Sequence, residues 1–197
     1  MARASRAQMD RNRETIEAVS ARLFREQGLR GLSVDELMAA AGLTHGGFYG
    51  HFESKDALAA IACARAFEQS AGRWKGHIHG AADPAAAFRA IVDGYLSQLS
   101  RDDPGTSCPA TALAGDVARE PGDKPVRAAF IAGVKDQVAL LLALGEHGDG
   151  GRRKALGQFA TLVGALLLSR ATSGDAISQE FLEAARAQLI GPDGSGL

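Results

Sequence analysis

Four consecutive residues, Thr44, His45, Gly46 and Gly47, are of types that suit contact with a polyanion. A threonine hydroxyl can donate to a phosphate oxygen, and an imidazole can reach a base edge or a phosphate. The glycines read bases poorly, but they let a backbone sit close to a groove floor. Each costs a helix roughly 1 kcal/mol relative to alanine, which is hard to account for if the segment serves packing alone. A second chemistry lies in Cys108, which precedes Pro109 at an expected helix start. The helix dipole favours a thiolate there and raises reactivity toward oxidants and electrophiles. The plainer alternative is a small buried apolar side chain, the common fate of a free cysteine. His77 and His79 form an H-x-H pair. Residues two apart do not share a helical face and no other ligand cluster accompanies them, so no metal site is expected.

The elements that must position Thr44 to His51 can be read on either side of it. Ser33 and Glu36 have the spacing of a capping box. Val34, Leu37, Met38 and Ala41 then form one apolar helical face, and Gly42 stands where a left-handed turn would end it. Thr44 is placed to cap a second helix running to about Phe52, and Ser54 to cap a longer third. Two short helices joined by a glycine turn describe a helix-turn-helix, whose second helix enters the DNA major groove. Helices this short need support, which an amphipathic helix from about Asp10 to Gln27 supplies through Ile16, Val19, Leu23 and Phe24. Phe24, Leu37, Phe48 and Phe52 are the expected small core.

The run AGLTHGGFYGHFESKDAL resembles the DNA-binding signature of TetR-type transcriptional repressors. The likeness is carried by Ala41-Gly42, Phe48-Tyr49, His51-Phe52 and Ser54-Lys55, and it is dense from Thr15 to Leu58. It implies an all-α chain, with a three-helix DNA-binding unit over 1–55 and a helical ligand-sensing and dimerisation domain over 56–197. It also implies phosphate contacts from Tyr49, His51 and Lys55, which join Ser33, Thr44, His45, Gly46 and Gly47 as the expected DNA-binding residues. Many members of the family carry bulkier residues at the two glycine positions, so here phosphate contacts and DNA shape should supply much of the affinity.

Composition fits that division. The 197 residues are 46% hydrophobic, rich in Ala and Leu, and poor in aromatic or β-branched runs. No uninterrupted apolar stretch approaches the length of a membrane span, the N-terminus lacks a signal-peptide core, and two cysteines make no disulfide framework. A cytoplasmic location is expected. The net charge of −1 argues against a general nucleic-acid binder, but Arg3, Arg6, Arg11 and Arg13 face only Asp10 in the first thirteen residues. That tail is either merely solvated or an arm reaching phosphates.

Beyond the reading unit, a long helix runs from Ser54 to about His79, and another from Asp83-Pro84 to about Ser100 with Leu99 inward. Helices follow at about 108–119, 125–145, 152–172 and 178–189. Phe67, Trp74, Phe88, Tyr95, Cys108 and Phe130 are the expected walls of a ligand pocket. The helices near 125–145 and 152–172 are expected to be antiparallel neighbours that meet a second subunit through Phe130, Val134, Val138, Leu141, Phe159, Leu162, Val163 and Leu166.

The function expected is a repressor that binds a pseudo-palindromic operator as a homodimer and is released by a small-molecule inducer, with no cofactor and no enzymatic activity. An alternative trigger is electrophile or oxidant chemistry at Cys108. A helical dimerising adaptor that ignores DNA is a rival. A phosphate-cradling glycine loop in an enzyme is another, but such loops follow a strand, and here an amphipathic helix comes first.

Overall fold

The computed structural model describes residues 6–145 and 148–191. The described residues form α-helices and one 3-10 segment, with no strand among them. Helix α1 (Arg6–Gln27) buries Ile16, Ser20 and Phe24 on one face, while Val19 and Leu23 are half-buried. It starts before Asp10 because nothing between Arg6 and Asp10 breaks a helix, so the basic run is helical from Arg6 onward. Arg3 lies outside the described residues.

Helix α2 (Val34–Ala40) begins at the Ser33 capping box and is followed by the 3-10 segment His45–Gly50. Helix α3 (Lys55–Gly80) is capped by Ser54, whose Oγ accepts from the Ala57 N–H at 3.1 Å. Helix α4 (Pro84–Tyr95) is capped by Asp83, whose carboxylate accepts from the Ala86 N–H at 2.7 Å. The expected continuation to Ser100 does not occur. Ser97 turns inward on the chain, accepts from the Ser100 N–H and starts the short helix α5 (Gln98–Asp102). Leu99 is consequently 74% exposed rather than inward.

Helices α6 (Pro109–Arg119), α7 (Pro125–Ala143), α8 (Gly148–Ala171) and α9 (Ile177–Ile190) complete the body. The start of α8 precedes the expected Arg152. His147 and the tail from Pro192 lie outside the described residues. The expected pairing of the last long helices is also corrected. Helices α7 and α8 are neighbours, as expected, but α7 packs more extensively along α3 and α8 against α9. The axes of α7 and α8 differ by 119°, well short of the reversal an antiparallel pair shows. An apolar stripe specifies that a face is buried, but not by which partner.

That rearrangement decides the fate of the predicted dimer contacts. Val138, Leu141, Phe159, Leu162 and Leu166 are buried within the chain's own core, while Phe130, Val134 and Val163 are half-buried. The first five cannot also face a second subunit. The continuous core runs from Ile16 through Phe48 and Phe67 to Leu189. Among the described residues, no single helix is long and apolar enough to cross a membrane.

One buried side chain is out of keeping with this core. Gln137 is wholly buried, and neither its amide oxygen nor its nitrogen has a hydrogen-bond partner among the described residues. An unpaired buried amide costs about 1–3 kcal/mol. Gln137→Met, similar in volume and without polar hydrogens, is therefore expected to raise stability by about 1 kcal/mol or more, read from the shift in urea midpoint at unchanged slope.

Candidate nucleic-acid interface

The turn before the 3-10 segment follows from local chemistry. The Ser33 N–H donates to Glu36 Oε2 at 2.7 Å and Ser33 Oγ accepts from the Glu36 N–H at 3.2 Å, which closes both halves of the capping box. The Ser33 backbone N–H, followed by its hydroxyl, holds the Glu36 carboxyl below its ordinary range. At the other end of α2, the Gly42 N–H bonds to the Ala39 carbonyl and the Leu43 N–H to that of Met38, each at 2.9 Å. This is a Schellman closure, and it requires the positive φ of +70° that Gly42 adopts.

Phe48 is fully buried beneath the segment, with Phe52 beside it at a ring separation of 5.7 Å. These two anchors, over Phe24 and Leu37, leave the opposite side of the segment outward. Thr44, His45, Gly46 and Tyr49 are exposed, as is Ser33, while Gly47, His51 and Lys55 are half-buried. The eight expected DNA-facing residues thus fall on α2's cap, the 3-10 segment and the start of α3.

Two details depart from expectation. The second helix is a six-residue 3-10 turn, not an α-helix, because three of its six residues are glycine. So short an element has little dipole to offer a phosphate, and the Gly47 N–H is already bonded to the Thr44 carbonyl at 3.0 Å. The Thr44 hydroxyl makes no capping bond and stays available.

Two other residues position the segment. His45 Nδ1 lies 2.5 Å from Asp35 Oδ1 on α2. Arg13 donates to the His51 carbonyl at 2.6 Å and lies 4.7 Å above the Phe52 ring, so it ties α1 to the far end of the segment. Sequence reasoning assigned Arg13 to a basic tail. It is exposed, but its spacing of three residues from Ile16 was the available sign that it lies on the side of α1 next to the segment.

The glycines of the segment are not demanded by the chain itself. Gly46 and Gly50 have nothing within 4 Å of the place a Cβ would occupy, and Gly47 has only the end of Met38 at 3.6 Å. None of the three has a positive φ.

The expected pocket walls separate. Trp74, Tyr95 and Cys108 line one cavity of about 240 Å³, whereas Phe88 lines another near the end of α7 and Phe67 a groove between α3 and α7. Phe130 packs edge-on against Phe67, with ring centres 5.4 Å apart. Cys108 is 3% exposed at the N-cap of α6, which favours the plain packing role over an open, reactive thiol. Burial pushes the other thiol, Cys63, up to about 12. Tyr95 bonds to Thr111 Oγ1 at 2.8 Å; burial, followed by Cys108, holds its phenol well above the ordinary range. Sequence reasoning missed Arg25, Arg73 and Arg170, which surround this cavity. The one available signal was a charge set in an apolar stripe, as Arg170 is after Leu166.

The geometry agrees with known proteins. Residues 16–61 match the family model described as bacterial regulatory proteins, tetR family. Over 58 residues the chain is 40% identical to the HTH-type transcriptional regulator AcrR of Shigella flexneri, covering 29% of this chain and 27% of that protein. The chain therefore spans well under a third of the length of the curated relatives it matches. Solved structures extend the likeness to the whole body. A TetR transcriptional regulator from Chloroflexus aurantiacus matches with a TM-score of 0.74 at 27% identity, over 92% of this chain and 93% of its own. The reduced form of E. coli NemR matches with a TM-score of 0.76 at 23% identity, over 90% and 94%. The motif, the Schellman-closed turn and the family match fall on the same residues, and residues 16–61 are a DNA-binding region of the tetR family of bacterial regulatory proteins.

Proposed function

We propose that the chain is a ligand-responsive transcriptional repressor that binds a pseudo-palindromic duplex operator as a homodimer. One observation carries the reading. The outward face of residues 44–51 holds glycines that neither packing nor backbone conformation requires, so their reason lies in something that approaches from outside. In this reading residues 1–55 form the DNA-binding unit and 56–197 the sensing and dimerisation body. Thr44, Tyr49 and Lys55 contact phosphates, His45 reaches a base edge while held by Asp35, and the glycines admit the backbone to the groove.

A second copy docks on α8 and α9 rather than on the buried residues first expected. Leu156, Val163 and Leu167 lie on one stripe of α8, and Leu156, Leu167, Leu168 and Ile177 are all more than two-fifths exposed. Such a face supports a subunit contact.

Release of DNA follows from α6. Its first turn borders the Trp74–Tyr95–Cys108 cavity, and its Asp116 accepts from the Leu29 N–H at 2.8 Å in the link between α1 and α2. Arg30 pairs with Glu120 at 3.0 Å just beyond. A ligand that fits the cavity better in one position of α6 moves the reading unit with it; couplings of about 1–3 kcal/mol are typical.

Selection of bound fragments from a random duplex pool tests the reading. Enrichment of inverted half-sites about one helical turn apart is the expected result, and no enrichment at low salt would overturn it. On the selected site, Lys55→Ala is expected to weaken binding across all sequences and to reduce the salt slope by about one.

A further inference from the structure

The cavity beside α6 has cationic side chains in and behind its wall and no carboxylate in its lining. It opens among Trp74, Ile91, Tyr95, Cys108 and Leu166, with Arg73 and His77 in its wall. Two further guanidinium groups stand close by. Arg25, 5% exposed, donates to the carbonyls of Ala21 and Ser107 and to the Gln69 side chain. Arg170 donates to the carbonyls of Ser100 and Arg101 and to Ser107 Oγ. Every one of those partners is neutral. Arg73 makes no hydrogen bond or ion pair among the described residues.

The field of this cluster is visible in its members. Burial first, then the charge of Arg73, brings Arg25 down to about 10, and burial lowers Arg73 and Arg170 as well. Asp103 acts on both Arg25 and Arg170 and Glu26 acts on Arg25, but neither carboxylate lines the cavity, and Asp103 accepts from the Thr106 hydroxyl at 2.9 Å. Arg25 is buried and Arg170 half-buried, whereas Arg73 and His77, which line the cavity, are exposed. Arg73 is therefore reachable from solvent, and an anionic ligand seated on it offsets the positive charge gathered behind it.

We propose that the cavity binds a small monocarboxylate with a flat or branched apolar body. The carboxylate seats on the Arg73 guanidinium, whose planar fork matches it with two parallel hydrogen bonds, and His77 flanks it. The apolar part lies among Trp74, Tyr95, Ile91 and Leu166. At about 240 Å³ the cavity is below the size that takes drug-like molecules, which selects compact acids. The proposal names the inducer class for the repressor reading and rests on that reading only for its effect on DNA, not for binding itself.

The chain's single tryptophan is Trp74, so its emission reports on this wall alone. Full-length protein is titrated with benzoate, phenylacetate and hexanoate, and in parallel with benzamide, phenylacetamide and hexanamide. The expected result is a saturable change in emission with at least one acid, and about tenfold or weaker binding of its amide. Arg73→Gln is expected to lower the affinity for that acid about tenfold with an unchanged melting temperature, since Arg73 holds no other part of the chain. Three results would each overturn the proposal: equal binding of acid and amide, an acid affinity unaffected by Arg73→Gln, or no saturable change with any of the acids at millimolar concentration. Duplex binding is measured separately. Acid binding without DNA binding would sink the repressor reading and leave the cavity assignment standing; DNA binding without acid binding would do the reverse.

Discussion

Replacing Gly46 by glutamate is expected to abolish operator binding while leaving the fold intact. The position is exposed, its φ is not positive, and nothing lies within 4 Å of the added Cβ. Glutamate is also the better helix former, so stability should hold or rise by up to about 1 kcal/mol. Against a duplex the same side chain both occupies the space of the groove floor and sets a negative charge among phosphates. Like charges brought together at an interface cost several kcal/mol, which corresponds to a loss of about 100-fold or more. Fluorescence anisotropy on the selected duplex, beside a thermal melt of the same preparation, separates the two effects. A variant that melts normally and binds normally would show that the glycines serve no groove approach.

The second large effect lies far from the DNA. At Gly133 the Phe67 ring of α3 packs directly on the α7 backbone: a Cβ added there would overlap a ring carbon, and Phe67 is itself held by Phe130. Gly133→Leu forces the two helices apart. Overpacking of this kind costs about 1–3 kcal/mol, and for a chain of this size each kcal/mol lowers the melting temperature by about 2–4 °C. A fall of roughly 2–12 °C is therefore expected on differential scanning fluorimetry. Because α3 runs from the reading unit into the body, the wedge should also lower operator affinity. Phe67→Leu in the Gly133→Leu background should recover part of the loss, since it shortens the ring that the leucine meets. Full tolerance of Gly133→Leu would mean that the α3–α7 crossing is looser than the geometry indicates.

What could be read from the sequence was what depends on near neighbours in the chain. The Ser33–Glu36 box, the Gly42 turn, the Ser54 and Asp83 caps and the buried quartet Phe24, Leu37, Phe48 and Phe52 all follow from spacing, and all stand in the structure. What could not be read was the choice among equivalent long-range partners. The stripes of α7 and α8 were plain, but whether Val138 and Leu162 met another subunit or their own core depended on α3 and α9 competing for them. Three of the six expected pocket residues converge, because α3, α4 and α6 happen to meet at Trp74, Tyr95 and Cys108. The guanidinium groups around them come from α1, α3 and α8, separated by some fifty to a hundred residues, and no local pattern joins them. The break at Ser97 was also missed, because a serine inside an apolar repeat reads as a surface position until it caps.

Operator binding requires residues 44–51 to be an outward element that a twin subunit repeats at groove spacing. Anisotropy of the wild-type chain on its selected duplex, titrated to stoichiometry and repeated across salt concentrations, addresses that directly. Two chains per inverted site, with affinity falling steeply as salt rises, is the predicted result. A chain that remains single and shows no affinity for duplex DNA at low ionic strength would contradict it.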